Sequence, residues 1–517
     1  MLKTFLAMAG YMLVVIAIGL FYAKRAQQNS KNYFLGGRSL GPWIAAMSAE
    51  ASDMSGWLLM GLPGVAYWCG LADATWTAVG LAIGTYVNWR IVAKRLRRFS
   101  VVSGDSITVP EFFSNRFHEK RKTLLMLAAI FILVFYTVYA ASCFVTCGKL
   151  FGTLFGFSYH SMMISGAVFV VFYTILGGFL AESTSDFMQG IVMIVALITI
   201  VIAGTSAAGG INAVLENAKA IPGYLSLTSI ASPQLDANGI QTVAGNTPLF
   251  GSAGPYGLLT IISTLSWGLG YFGMPQVLLR FMAIRQVNEL AKSRRIATTW
   301  CVISLFAAVA IGVIGRAVFP VHPNLMTAGG AESIFITLSQ ALLSPVVAGI
   351  VMSGILAATI SSSDSYLLIA ASAFAKNIYE GALKKDATDR QVMHVSRLML
   401  VLISIIGVCI AWDDTSVIFT IVSFAWAGFG ATFGPLMLFS LFWKRTSHAG
   451  AIAGMLTGAI SVFVWKLLLK PMGGVFAIYE LFPAFVLSCI VIVVVSLCTA
   501  PPSAEVVADF EKAAQAE

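Results

Sequence analysis

Charged side chains are scarce in this sequence. They make up 11% of the 517 residues, whereas hydrophobic residues make up 58%. A soluble protein of this length carries roughly 25% charged residues. Apolar runs of about 20 residues recur along the chain, and each is long enough to cross a hydrocarbon core of roughly 30 Å. The composition excludes an ordinary soluble protein and predicts an all-α polytopic membrane protein.

Clusters of histidine and cysteine are also missing. The five histidines lie apart, at or beyond the ends of the apolar runs, and the seven cysteines are scattered. Cys143 and Cys147 share one helix face, but two thiols with no neighbouring ligand make a poor metal site. Because the spans contain no nucleophile–base pair and no metal cluster, we do not expect an enzyme. We also expect no organic cofactor.

The apolar runs predict about 13 transmembrane helices. We place them at residues 4–23, 42–66, 68–89, 122–150, 158–180, 185–208, 256–283, 297–319, 335–375, 395–412, 415–442, 449–469 and 474–498. The stretch 335–375 is long enough to hold a short helix before its span. The predicted transmembrane domain covers residues 1–500, and residues 501–517 form a short cytoplasmic tail.

The net charge of +9 is concentrated in alternate loops. Basic residues such as Arg90, Lys94 and Arg280 follow the odd-numbered spans, whereas the polar segment 209–255 contains only Lys219. The positive-inside rule therefore places the N-terminus outside the cell and the C-terminus in the cytoplasm. This distribution indicates a lipid bilayer as the partner and argues against nucleic acid. Nothing in the sequence indicates an obligatory protein partner.

Two carboxylates interrupt the second span. Glu50 and Asp53 lie among small residues, and Ser55 and Gly56 follow them. An ionisable group at this depth costs at least a few kcal/mol, so such groups usually line an ion or substrate path. Small residues allow the helix to break, and carbonyls freed by a break bind a cation where they line a protein cavity. The pattern favours an ion-coupled transporter.

The seventh span is interrupted in a similar way. The stretch Trp267-Gly-Leu-Gly-Tyr-Phe-Gly273 precedes Pro275. Paired interruptions at corresponding positions indicate the binding site of an inverted-repeat transporter. The two repeats would cover residues 42–208 and 256–442. Alternatively, the glycines only allow close helix packing and the prolines only kink the helices.

The ninth span offers oxygen ligands. Ala358, Ser361 and Ser362 share one helix face, at positions i, i+3 and i+4. Their hydroxyl and carbonyl oxygens suit a hard alkali cation better than a transition metal. Serines in membrane helices also bond back to the carbonyl four residues earlier, and that alternative stays open. Asp186, near the start of the sixth span, either serves an inner ion-release path or is an interfacial carboxylate that faces water or pairs with a loop arginine.

The chain resembles the sodium/solute symporter family, and within it the sodium/proline branch. The resemblance lies in Leu35–Pro42, Ala51–Gly64, Gly177–Ala181, Trp267–Gly273, Arg280–Ala283 and Ala425–Ala431. It implies a LeuT-type inverted repeat of five plus five helices with broken helices. The implied activity is sodium-coupled symport of L-proline into the cell by alternating access. The alternative is sodium- or proton-coupled symport of another small solute, such as a different amino acid, a monocarboxylate or a sugar.

The resemblance also implies site residues. Na⁺, as the co-transported ion, would be held by the carbonyls of Ala51, Met54 and Ala358 and the hydroxyls of Ser361 and Ser362. Asp53 and Asp186 match acidic positions linked to sodium coupling and transit. The substrate-facing positions are Ser55, Gly56, Trp57, Trp267, Tyr271 and Pro275. A proline zwitterion needs backbone amides for its carboxylate and an aromatic wall for its ring.

Some residues depart from the pattern of the family. Glu50 stands where its proline transporters have glycine, and Asp364 adds a further carboxylate. Met274 and Gln276 replace a polar pair around Pro275. We therefore consider a second ion site formed by Glu50, Ser363 and Asp364, with structural pairing of these side chains as the alternative.

Overall fold

Helices dominate the computed structural model, which describes residues 1–26 and 30–515. The α-helices, in chain order, are α1 (Leu2–Ala26), α2 (Ser30–Leu35), α3 (Pro42–Gly56), α4 (Leu62–Cys69), α5 (Leu71–Val87), α6 (Ala93–Val102), α7 (Val109–Arg116), α8 (Thr123–Phe155), α9 (Tyr159–Ala207), α10 (Ile211–Lys219), α11 (Leu258–Leu265), α12 (Pro275–Ala283), α13 (Leu290–Val318), α14 (Ala328–Ala331), α15 (Ile334–Leu342), α16 (Pro345–Ser372), α17 (Asp389–Ile410), α18 (Ile418–Phe442), α19 (His448–Val464), α20 (Leu481–Cys498) and α21 (Ala504–Gln515).

Within the described part of the chain, nine helical segments are long and apolar enough to cross a membrane. Three other predicted spans are divided by irregular turns. A π-helical segment, Trp57–Gly61, joins α3 to α4, another, Asn88–Val92, joins α5 to α6, and the 3₁₀ segment Ser266–Phe272 follows α11. The total of 13 spans stays a prediction, because interrupted helices do not meet a criterion of continuous length.

The long helix α9 is bent at Gly178, which has φ 56° and ψ −171°. The hydroxyl of Tyr173 donates to the Ser185 hydroxyl at 2.8 Å, although the two residues are twelve apart. In a straight helix, residues at this separation are about 18 Å apart, so the chain turns back at the bend. Glycine is required there by its positive φ and because an added Cβ would lie 2.8 Å from the Tyr33 ring.

Among the nine long apolar segments, those that contain α16 and α18 are the most enclosed. In each of them, 83% of the most apolar stretch of 18 residues is buried, compared with 22% in the segment that contains α1 and 28% in the one that contains α19. A helix that is apolar all round and largely buried belongs to the core of a bundle. The small and polar residues of α16, including Ser361 and Asp364, are therefore at the centre of the protein.

The segment 209–255 is ordered, as expected for a structured loop. It contains α10 and four short strands, β1 (Ser229–Ile230), β2 (Val243–Ala244), β3 (Thr247–Pro248) and β4 (Gly254–Pro255). β1 pairs with β4 and β2 with β3, both antiparallel. The Tyr224 hydroxyl donates to the carbonyls of Ala66 and Tyr67, at 2.7 and 3.0 Å. The loop is thus fastened to the end of α4.

The tail forms a helix, α21, that packs against α6. Phe510 packs edge-on against Phe99 and lies 4.9 Å from the Arg95 guanidinium. Asp509 accepts a hydrogen bond from His118, at 2.8 Å. Aromatic and charged contacts together therefore fix the position of the tail.

Candidate ion and substrate site

The predicted break in the second span occurs at Ser55. This residue has φ 49° and ψ −172°, in a stretch that is otherwise helical. A positive φ is uncommon in any residue but glycine and costs of order 1–3 kcal/mol. The Ser55 hydroxyl accepts a hydrogen bond from the Trp57 N–H at 3.2 Å, and the Met54 carbonyl also accepts from it. The surrounding helices therefore hold a strained joint between α3 and the segment that follows.

Four of the five sodium ligands predicted from the sequence meet where α3 crosses α16. The Ser361 hydroxyl donates to the Ala51 carbonyl at 2.8 Å and lies 3.2 Å from the Ala358 carbonyl. The Ser362 hydroxyl lies 3.5 Å from the same Ala51 oxygen. All of these residues are fully buried. Because a hydroxyl group rotates freely, both serines can turn their lone pairs toward a cation, so this set of oxygens fits a sodium ion.

Asp53 connects α3 to the seventh span. Its carboxylate accepts a hydrogen bond from the Gln276 amide at 3.0 Å. Gln276 in turn accepts from the Tyr136 hydroxyl at 2.5 Å. The hydroxyls of Tyr139 and Tyr366 both lie 3.4 Å from the Asp53 carbonyl. The sequence identified Gln276 only as a departure from the family pattern, and its role as a partner of Asp53 was not predicted.

Aromatic rings surround the two helix breaks. Trp57 stacks on Trp267 with centroids 5.5 Å apart, and Phe419 stacks on Trp57 at 5.9 Å. Tyr271 meets Trp426 edge-on at 5.1 Å. The indole N–H of Trp57 is buried without a hydrogen-bond partner among the described residues. An apolar wall with a few unpaired polar groups is typical of a small-molecule site.

Two carbonyls of the 3₁₀ segment 266–272, which interrupts the α-helix of the seventh span and which we call the unwound segment, accept hydrogen bonds from neighbouring side chains. The Asn88 amide donates to the Tyr271 carbonyl at 2.9 Å, and the Trp426 indole donates to the Trp267 carbonyl at 2.8 Å. Non-helical backbone at membrane depth requires such partners. Pro275 begins α12, where its missing N–H costs no helix bond.

A buried charge cluster lies beside the crossing of α3 and α16. Arg280 donates to Glu182, to Asp186 at 3.2 Å, and to Ser48 and Ser365 at 2.9 Å each. Our assignment of Arg280 to a basic loop was wrong, because the side chain is completely buried in α12. Glu182 and Asp186 are four residues apart on α9 and form one acidic face that pairs with Arg280. Asp186 thus pairs with an arginine from a span instead of a loop.

The three residues considered for a second ion site contact different partners. Glu50 accepts a hydrogen bond from the Trp89 indole at 3.3 Å. Asp364 accepts from the Ser365 N–H at 2.8 Å, and its second oxygen has no hydrogen-bond partner among the described residues. Ser363 donates back to the Thr359 carbonyl at 2.5 Å, which is the structural role that serines commonly take in membrane helices.

A second ion pair lies at the opposite end of the aromatic wall. Glu332 pairs with Lys149 at 2.8 Å and accepts the N–H groups of Ile418 and Phe419 at 2.9 Å each. A carboxylate in this position caps α18 and complements its dipole. Because Phe419 packs on Trp57, the cap also sets the position of the wall. A polar cavity of about 580 Å³, lined in part by Lys149, adjoins it.

Comparisons with known proteins identify the family. The chain belongs to the sodium:solute symporter family, whose model matches residues 33–458. It is 39% identical to the sodium/proline symporter of Staphylococcus aureus strain USA300 / TCH1516 over 516 residues, which cover 99% of this chain and 95% of the relative. The sodium/proline symporter of strain Mu3 / ATCC 700698 shows the same identity and coverage. The resemblance read from the motifs is confirmed.

Solved structures agree with this assignment. A Na⁺-coupled sialic acid symporter in an outward-open state matches with a TM-score of 0.76 at 18% identity, over 97% of this chain and 99% of that one. A nucleobase–cation symporter, Mhp1, matches with a TM-score of 0.54 at 12% identity, over 94% and 100%. The all-α, LeuT-type fold class is confirmed. The chain is a multi-pass membrane protein and a sodium-coupled symporter, and not an enzyme, as predicted.

Proposed function

We propose that this protein imports L-proline together with sodium. The observation that carries the proposal is the joint at Ser55, where ion-type oxygens of α3 and α16 lie next to the stacked rings of Trp57 and Trp267. The chain's 39% identity to sodium/proline symporters over almost its whole length supports the same substrate. One helix break thus serves both the ion and the solute.

Sodium binds between α3 and α16 in this proposal. The ligands are the carbonyls of Ala51, Met54 and Ala358 and the hydroxyls of Ser361 and Ser362. The ion replaces the hydrogen bonds between Ser361, Ser362 and Ala51 and so fixes the distance between the two helices. Asp53 does not ligate the ion. It couples ion binding to the position of α12, since its carboxylate accepts a hydrogen bond from Gln276 on that helix. Sodium then raises the affinity for solute, and linkage requires the reverse effect as well.

The proline zwitterion lies between the two breaks. Its carboxylate accepts hydrogen bonds from backbone N–H groups around Ser55 and Gly56, as anions do at helix ends, and from the indole N–H of Trp57. The pyrrolidine ring packs on Trp57 and Trp267. Tyr271 and Pro275 complete the wall on the side of the seventh span.

Alternating access follows from the inverted repeats, residues 42–208 and 256–442: the four helices next to the site rock against the remaining scaffold. In this proposal the N-terminus is outside and the C-terminus is cytoplasmic, in a bacterial plasma membrane. The cluster of Arg280, Glu182 and Asp186 lies on the inner side of the ion site, and Asp186 guides the ion toward the cytoplasm. Glu50 and Asp364 lie in separate polar surroundings, so we assign any second cation to Asp364, whose free oxygen adjoins that cluster.

The test is uptake of labelled L-proline into proteoliposomes with and without an inward sodium gradient. We expect accumulation only with sodium, and its loss in Asp53→Asn and Ser361→Ala. Ser353→Ala is the matched control, because Ser353 lies on the same helix but donates only to the Gly349 carbonyl. That variant should keep wild-type uptake.

The outcomes separate the parts of the proposal. Sodium-dependent uptake of another amino acid, a monocarboxylate or a sugar, with proline inert, would retain the ion site and reject the substrate. Uptake driven by a proton gradient without sodium would reject the ion site. Equal losses in Ser353→Ala and Ser361→Ala would show that serine removal harms α16 in general.

A further inference from the structure

A narrow apolar crevice opens beside the unwound segment of the seventh span. Its volume is about 230 Å³. One wall is formed by Ile83, Gly84 and Val87 of α5, and the other by Gly268, Leu269 and Phe272. The base of the crevice is backbone against backbone, because a Cβ added at Gly84 would collide with the Gly268 carbonyl. Ile83, in the last third of an apolar span, is 57% exposed, so the crevice is open to the lipid phase.

Two basic residues follow the crevice along the chain. Arg90 lies in the π-helical segment Asn88–Val92 and Lys94 lies at the start of α6, and the exposed side of the chain at Ile83 and Tyr86 continues to both of them. Arg90 and Lys94 are both exposed. Among the described acidic residues, none forms an ion pair with either of them. An apolar stripe that ends in two unpaired cations matches the order of groups in a phospholipid, from acyl chain to phosphate.

A third basic residue comes from another helix. The guanidinium of Arg294, on α13, lies 5.6 Å from the centre of the Tyr86 ring. Tyr86 is 47% exposed and is three residues from Ile83, beside the crevice. Tyrosine is enriched where a span leaves the hydrocarbon and meets the headgroups. Tyr86 therefore marks the depth of the headgroup, and Arg294 lies at that depth.

We propose that this crevice binds one anionic phospholipid. An acyl chain lies along Ile83 and Val87, and the phosphate lies among Arg90, Lys94 and Arg294. A net negative headgroup complements three basic side chains, each of which contributes roughly 1 kcal/mol near a membrane surface. A zwitterionic lipid would bring a cationic group to the same place and would therefore bind less tightly.

The lipid would contact the outer side of segment 266–272. Gly268 and Leu269 of this segment line the crevice, whereas Trp267 and Tyr271 of the same segment belong to the aromatic wall. A chain in the crevice therefore supports the unwound segment on its outer side. This places an anionic lipid in direct contact with the part of the protein that has to rearrange during transport.

Native mass spectrometry of the purified full-length protein tests the proposal, with phosphatidylglycerol and phosphatidylcholine of identical acyl chains. We expect retention of one phosphatidylglycerol in preference to phosphatidylcholine. The triple variant Arg90→Gln, Lys94→Gln, Arg294→Gln should lose this preference, by about fivefold for each side chain removed. Lys120→Gln, Arg121→Gln, Lys385→Gln is the matched control, with the same loss of charge on other basic loops, and it should keep the preference.

A phosphatidylglycerol with a photoreactive group in its acyl chain locates the site independently of any variant. Labelled peptides should come from residues 80–94 and 265–272. A tenfold excess of inorganic phosphate should not displace the lipid, since phosphate alone cannot use the crevice. Equal preference in the two triple variants, labelling only at other segments, or displacement by inorganic phosphate would overturn the proposal.

Discussion

Arg280 is the cation that pairs with Glu182 and Asp186 in the buried charge cluster, and its removal gives the sharpest test of how that cluster is built. In Arg280→Met the carboxylates of Glu182 and Asp186 lose their shared partner, while the methionine keeps most of the apolar stem of the side chain. Both carboxylates are buried, with side chains 3% and 0% exposed. Removal of one partner from a buried pair typically costs about 3–5 kcal/mol. We expect a loss of that size in the free energy of unfolding.

Equilibrium unfolding in mixed detergent and sodium dodecyl sulfate, followed by helical circular dichroism, measures this quantity. The double variant Arg280→Met, Glu182→Gln should be more stable than Arg280→Met alone, because it no longer contains both unpaired charges. Arg285→Met is the matched control. Arg285 lies five residues further along, is exposed, and pairs with Glu289 on the surface, so its replacement should change stability little.

Two results would refute this reasoning. If Arg280→Met were as stable as Arg285→Met, the guanidinium would not be the charge that holds Glu182 and Asp186 in the protein interior. If the added Glu182→Gln exchange destabilised Arg280→Met further, the two residues would stabilise the fold independently and not as a pair.

Three further predictions concern other contacts. Gln276→Leu removes the hydrogen bond to the Asp53 carboxylate; since bonds to charged groups are worth about 1.5–3 kcal/mol, the half-saturating sodium concentration for uptake should rise at least tenfold, and an unchanged value would contradict the link. Gly84→Leu should reduce the yield of monodisperse protein in gel filtration, because the side chain would enter the backbone of Gly268; Ala82→Leu, on the partly exposed face, is its control. Burial raises the pKa of Glu119, but hydrogen bonds from His448 and two backbone N–H groups hold that pKa below its ordinary value of 4.5. The ionised Glu119 therefore stabilises the fold above pH 4.5, and this stabilisation is lost as the pH falls through the lowered folded-state pKa. The unfolding midpoint of Glu119→Gln should consequently fall less steeply on acidification than that of the wild type.

The helix breaks and the ion-type oxygens were accessible from the sequence because their signals are local. Ser55-Gly56 and the glycines after Trp267 permit unusual backbone, and the i, i+3, i+4 spacing of Ala358, Ser361 and Ser362 defines a face without any knowledge of the rest of the fold. The contact between Ala51 and Ser361 could be predicted only from the family resemblance, since no pattern within either span indicates which other span it contacts.

The buried partners were not accessible in the same way. Arg280 near the end of a span looks like a loop cation, and only the packing of α9 against α12 and α16 shows that it is enclosed by carboxylates. Gln276 was missed for a similar reason: an amide beside a proline has no distinctive spacing, and its hydrogen bonds extend to two other spans. A signal was present for Glu182 and Asp186, whose spacing of four residues predicts one acidic face and hence a shared cation.

The hydrogen bond from Trp426 to the Trp267 carbonyl has a consequence for how the protein moves. In hydrocarbon surroundings a carbonyl without a donor is costly, so the unwound segment and α18 cannot drift apart gradually. They either travel as one body or exchange this bond for another in a single step. A wall built in this way has a small number of permitted positions and sharp transitions between them. Discreteness of this kind is what a carrier needs if its two entrances are never to be open at once.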